Sequence, residues 1–140
     1  MMKYFAYGMN TNVDQMANRC PQACSLGRAF LPNHKFRFAG YADVVEHPGV
    51  GTDGVLWDIT EDCLRELDAL EGYPTFYQRK VVPIWQKGEV IEAMVYFMVD
   101  PPIDYEPSSH YVKMLLEGYD DHGVPIAQIV NSMHTFKDNA

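Results

Sequence analysis

The stretch Tyr4-Phe5-Ala6-Tyr7-Gly8-Met9-Asn10 constrains this chain more than any other. Lys3 to Tyr7 is short, apolar and aromatic, the pattern of a buried strand. Gly8 interrupts it, since glycine accepts backbone angles that residues with a Cβ resist. Asn10, Thr11 and Asn12 follow as N-cap residues, with Gln15 three past Asn12. Val13 to Asn18 is therefore expected to be a short helix. A strand, a glycine turn and a helix N-terminus in succession aim backbone N–H groups at one spot, where a carboxylate, phosphate or developing oxyanion is favoured. The same spacing also fits an ordinary tight turn, and it is neither a Walker loop nor a dinucleotide fingerprint.

Further along, Leu26 to Leu31 and Lys35 to Ala39 read as strands, the second by its polar–apolar alternation. Gly40 to Asp53 reads as irregular, with turn signals at His47-Pro48-Gly49 and Gly51. Gly54 to Ile59 is strand again. Thr60 opens a helix as N-cap, Leu64, Leu67 and Leu70 form its expected buried stripe, and Gly72 closes it. Tyr77 to Trp85 and Val90 to Val99 form two strands joined at Lys87-Gly88, a hairpin signal. Asp100-Pro101-Pro102 leads into a loop. Pro107-Ser108 starts a helix running to Gly118, and Val124-Pro125 starts another on which Ile126, Ile129, Val130 and Met133 recur at helical spacing. No repeat or linker divides residues 1–140, so one domain is expected. Strands grouped with inserted helices, without strict βαβ alternation, predict an α+β fold around a mainly antiparallel, barrel-like sheet.

Several function classes are disfavoured. The chain has a formal charge of −8 and no basic cluster, which argues against nucleic acid or an anionic membrane as partner. No apolar run is long enough to span a bilayer, and the N-terminus lacks a secretory pattern. Three cysteines (Cys20, Cys24, Cys63) are simplest to read as reduced thiols in a cytoplasm. Cys20 and Cys24 with His34 lack a fourth ligand at zinc-finger spacing, and His110 and His122 are as poorly placed, so neither metal nor thiol chemistry is expected.

Glu71 stands out on electrostatic grounds. It lies in the last turn of the Thr60 helix, where the dipole disfavours an anion, and Asp68 stands three residues back. No cation stands at i−3 or i−4. These terms favour its protonated form, the tuning of a group that accepts and returns a proton. A solvated helix-end glutamate is the plain alternative. Tyr7, Tyr77, Tyr96 and Tyr111 are further candidates, although tyrosines in apolar strands usually fill the core with the hydroxyl tied off. Arg79 would share a strand face with Tyr77, where a salt bridge is its expected use.

Taken together, these segments resemble the gamma-glutamylcyclotransferase family. Tyr4 to Asn10 resembles its Y-F-A-Y-G-S-N signature, Gly54-Val55-Leu56-Trp57 its G-V-[VL]-[WY] strand, and Leu67 to Gly72 its L-D-x-x-E-G segment. Pro107-Ser108-Ser109-His110-Tyr111 resembles a P-S-x-x-Y element, and Gly118 to Pro125 a G-x(4)-G-[LV]-P turn. Order and spacing agree from Tyr4 to about Pro125. The resemblance implies a small β-barrel flanked by helices and the cyclisation of a γ-glutamyl amide to 5-oxoproline with release of an amine. It implies Glu71 as the acid/base and Tyr4, Phe5, Ala6, Tyr7, Gly8, Met9 and Asn10 as the substrate-binding loop, with Tyr111 a substrate contact. Met9 departs from the family's serine, and Tyr119 from a usually small residue, expected to narrow the nearby surface.

The implied chemistry needs no cofactor or metal, because the substrate's α-amine is the nucleophile. The implied partner is a small γ-glutamyl molecule, and the oligomeric state, a homodimer included, is open. Two other readings stay open as well. One is a non-catalytic module binding a γ-glutamyl or amino-acid ligand. The other is an enzyme acting on γ-glutamylamine isopeptides.

Overall fold

Backbone pairing closes five strands into a barrel in the computed structural model, which describes residues 1–100 and 103–137. The strands in chain order are β1 (Met2–Ala6), β2 (Cys24–Leu31), β3 (His34–Ala39), β4 (Tyr41–Glu46), β5 (Thr52–Ile59), β6 (Tyr77–Gln86) and β7 (Glu89–Met98). The barrel order is β1-β5-β2-β6-β7, and β3 pairs with β4 as a separate two-stranded sheet. Neighbours are antiparallel except where β1 meets β7 in parallel, with Tyr4 opposite Met94, and that contact closes the barrel. The helices are α1 (Val13–Arg19), α2 (Glu61–Glu71), α3 (Ser109–His122) and α4 (Ala127–Lys137). The fold is thus the expected α+β barrel flanked by helices. Closure leaves these five strands no free edge along the seam.

Local sequence explains most elements. Asn12 caps α1 by accepting from the Gln15 N–H, and Thr60 caps α2 by accepting from the Cys63 N–H. Gly72 ends α2 in the left-handed region at φ 65°, and the Tyr73 N–H reaches back to the Asp68 carbonyl, the hydrogen-bond pattern of a glycine C-cap. Lys87 and Gly88, with φ of 50° and 78°, make the tight hairpin between β6 and β7.

Four expectations change. The segment from Gly40 to Asp53 contains β4 and the start of β5. Its pattern is masked by Asp43, a residue depleted in strands. Asp43 is fully buried, accepting from the Met98 N–H at 2.9 Å and pairing with Arg37 at 3.3 Å. The stripe of α2 is Cys63 and Leu67, with Leu64 half-buried and Leu70 exposed. Helix α3 runs through Gly118 and ends at Gly123, which takes the left-handed cap. Finally, Cys20 and Cys63 are joined in a disulfide across 43 residues, while Cys24 is free and exposed. Packing of α1 on α2 brings their Cα atoms to 5.2 Å, within disulfide reach, a proximity that sequence spacing does not reveal.

The loop at Asp100-Pro101-Pro102 falls outside the described residues at Pro101 and Pro102. Among the described residues, no helix is long and apolar enough to cross a membrane.

Candidate active site

A cavity of about 440 Å³ opens where the end of β1, the end of α2 and the start of β4 meet. Tyr4, Tyr7, Gly8, Met9 and Asn10 line it, as do Glu71 and Tyr111. Segments distant in sequence are thereby brought together. Phe5 and Ala6 lie elsewhere: both are buried in the core, with Phe5 and the Ala6 carbonyl pressed against Gly54 of β5. Strand geometry sends neighbouring side chains to opposite faces, so a contiguous strand motif cannot present every member to one cavity.

Gly8 has a negative φ of −118°, so a left-handed backbone is not what requires glycine there. What a side chain would meet there is a tight fit. A Cβ at Gly8 would stand 3.2 Å from both the Ala42 Cβ and the Tyr111 hydroxyl. After it comes a 3-10 turn, Met9–Thr11, before α1. That turn spends the expected helix N-terminal donors: the Thr11 N–H bonds the Gly8 carbonyl, the Asn12 N–H the Met9 carbonyl, and the Val13 N–H the Asp121 carboxylate. Among the described residues, the N–H groups of Gly8, Met9 and Asn10 donate to no protein acceptor.

The Glu71 carboxyl is pushed up to about 7 by burial, and the Arg19 guanidinium opposes that rise. This corrects the cause expected from the helix alone, for desolvation does the work of the dipole and Asp68. Asp68 is occupied elsewhere. Its carboxylate accepts from the Arg79 guanidinium at 3.0 and 3.3 Å and from the Tyr96 hydroxyl at 2.7 Å. Arg79 thus makes the expected salt bridge.

The tyrosine hydroxyls divide into two groups. Tyr7 donates to the Tyr96 carbonyl at 2.7 Å, Tyr77 to the Ala42 carbonyl at 2.6 Å, and Tyr96 to Asp68. Those three protons are spent on the framework, although all three residues line the cavity. Tyr4 and Tyr111 instead accept, from the Asn10 side-chain amide at 3.0 Å and from the Ala42 N–H at 3.0 Å. No described hydrogen bond uses their protons. Burial raises the pKa of both well above the ordinary phenol value, so they stay protonated donors.

Arg19, Tyr41 and Phe76 also line the cavity and were not singled out by sequence reasoning, and Leu70, expected in the core, lines it as well. Arg19 closes α1 and donates from Nη1 to the Asn10 Oδ1 at 2.5 Å. The disulfide through Cys20 ties that end of α1 to α2, the helix that carries Glu71. Tyr119 is fully buried and narrows no surface; its hydroxyl donates to the Tyr7 carbonyl at 2.6 Å, bracing the end of the β1 motif. Among the described residues, no group of three or more His, Cys, Asp or Glu side chains is placed to hold a metal ion.

Comparison with known proteins agrees in fold and sequence. The family described as "Gamma-glutamyl cyclotransferase, AIG2-like" matches residues 4–117. A protein of Methanocaldococcus jannaschii named "Putative gamma-glutamylcyclotransferase MJ1514" is 42% identical over 82 residues, spanning 49% of this chain and 68% of that one. A solved structure named "Gamma-glutamyl cyclotransferase" superposes with a TM-score of 0.82 at 26% identity, over 90% of this chain and 82% of its own. The uncharacterized protein loc79017 from Homo sapiens superposes with a TM-score of 0.81 at 27% identity, over the same shares.

Proposed function

Because the chain belongs to the gamma-glutamyl cyclotransferase, AIG2-like family, we propose that it converts a γ-glutamyl amide into 5-oxoproline and a free amine, with Glu71 carrying the proton. The observation that supports this most is a carboxyl tuned to about 7 in a cavity whose other walls offer hydrogen-bond donors. A group half ionised near neutrality accepts and returns a proton with little penalty in either direction.

In the proposed reaction the α-ammonium of the substrate gives a proton to Glu71. The freed amine attacks the γ-amide carbonyl, forming the lactam C–N bond. As collapse of the tetrahedral intermediate breaks the original C–N bond, Glu71 returns its proton to the departing nitrogen and then relays the second proton of the attacking nitrogen to the freed amine, which leaves as an ammonium ion. The nucleophile is tethered to its target, so holding the chain bent supplies much of the rate as effective concentration. Arg19 has guanidinium donors beyond the one given to Asn10, and these suit the glutamyl carboxylate. The N–H groups of Gly8, Met9 and Asn10 and the hydroxyl protons of Tyr4 and Tyr111 are then the donors for the oxyanion. Met9 in the serine position is compatible with this, because its contribution is through the backbone.

Two results are expected. The kcat/KM for 5-oxoproline release should rise with pH through an apparent pKa of about 7 and level off above it, since only ionised Glu71 accepts the ammonium proton. A flat profile between about pH 5.5 and about pH 8.5 would remove Glu71 from the proton transfer. Tyr111→Phe leaves the Ala42 N–H without its acceptor, at a cost of about 1 kcal/mol in denaturant unfolding. Its kcat/KM should drop by about tenfold or more, on the scale of a lost oxyanion donor. Unchanged activity per folded molecule would make Tyr111 a purely structural residue.

A further inference from the structure

The cavity holds few charges. Among the described residues that line it, Arg19 is the one cation and Glu71 the one carboxyl group. On the cyclotransferase reading, on which this inference rests, the glutamyl head uses both: its carboxylate pairs with Arg19 and its α-amine with Glu71. No lining charge is left for the other half of the substrate.

The mouth of the cavity has the opposite character. Tyr41, Leu70 and Phe76 line it, yet they are 54%, 50% and 48% exposed. They come from three places: the start of β4, the last turn of α2 and the connection from Gly72 into β6. The Tyr41 ring meets Phe76 edge-on at 6.3 Å and Tyr111 at 5.4 Å between centroids, so the exposed rim runs without a break into the buried wall. Exposed apolar side chains are ordinary when scattered. Three converging on the entrance of a pocket whose interior carries the charges form a half-open apolar subsite.

We propose that this rim seats the leaving half of the substrate, and that this half is the apolar or aromatic substituent of a simple amine, itself without charge, not an amino acid. An amino-acid leaving group would set its carboxylate against Tyr41, Leu70 and Phe76, with no further cation among the described lining residues to pair with it and Glu71 in the same cavity. An apolar amine instead removes the three side chains and itself from water.

The test is a panel of γ-glutamyl amides of benzylamine, isopentylamine, methylamine, glycine and the lysine ε-amine, each assayed for 5-oxoproline. The benzyl and isopentyl amides should exceed the glycine and lysine conjugates in kcat/KM by about tenfold or more. Phe76→Ser and Tyr41→Ser should each pull the benzylamide down toward the methylamide, shrinking that ratio by about fivefold or more. Turnover of the glycine or lysine conjugate as fast as the benzylamide overturns the proposal, as does a benzyl-to-methyl ratio unmoved in both variants. The wild-type panel decides even if a variant fails to fold. If no amide yields 5-oxoproline, the cyclotransferase reading itself has failed and takes this inference with it.

Discussion

Glu71→Gln is expected to yield a folded protein that still binds its ligand and makes 5-oxoproline about 10²-fold more slowly, or slower still. Glutamine keeps the shape of the side chain and cannot take up the ammonium proton. Stability should move the other way, and the sign follows from burial. The folded-state pKa of Glu71 is raised, from 4.5 to about 7, so the folded protein holds the proton more tightly than the unfolded chain does. Any contribution to stability is therefore fully present below the unfolded value and is lost as pH rises through the folded one. Above about pH 7 the wild type carries a partly desolvated carboxylate and the variant does not. The variant should be the more stable by about 1–3 kcal/mol at pH 8, with the gap narrowing toward pH 5. Urea unfolding at the two pH values measures this. A gap that does not change with pH would mean the carboxyl is solvated and ordinary.

Gly118→Ala is the second large effect, and it concerns the frame of the site. Gly118 lies inside α3 against the turn that follows Gly8. A Cβ there would stand 2.3 Å from the Thr11 Oγ1, 2.6 Å from the Asn12 nitrogen and 2.8 Å from the Thr11 carbonyl carbon. Two of the three are backbone atoms, so no side-chain rotation relieves the clash. Either α3 or the turn must move, at a cost of about 3 kcal/mol. Alanine's better helix propensity offsets this by only about 1 kcal/mol. Thermal unfolding should fall by roughly 5–10 °C. The turn carries Met9 and Asn10, so kcat/KM should fall along with stability. An unchanged melting temperature would contradict the close packing of α3 on this turn.

The same glycine marks a limit of sequence reading. Gly118 reads as a helix end, because a glycine required for close approach and one required for a cap look alike in one dimension. Gly8 poses the same ambiguity, since it is marked by a tight fit against Ala42 and Tyr111 and not by an unusual φ. Glu71 and the Gly8 turn carry local physical signatures that point to the cavity they line, whereas Tyr111 was tied to substrate only through its resemblance to a family element. Arg19 was not. It ends an ordinary short helix, and only the fold turns it toward Glu71. Tyr41 was hidden with the whole of β4, whose alternation is interrupted by the buried, paired Asp43. Leu70 was assigned to the core by its spacing from Leu67, whereas the end of α2 leaves it at the cavity mouth. The raised pKa of Glu71 was anticipated in direction from the helix dipole and Asp68. Its main cause is burial, which depends on residues far away in sequence.

The central claim is intramolecular ring closure, and product analysis tests it most directly. Wild-type protein incubated with the γ-glutamyl amide panel should release 5-oxoproline and free amine in a one-to-one ratio, with no free glutamate, because the substrate's own amine displaces the leaving group. Glutamate appearing with the amine would mean that water is the nucleophile. Saturable binding of these amides with neither product formed would make the cavity a ligand-binding module, and either result would contradict the account.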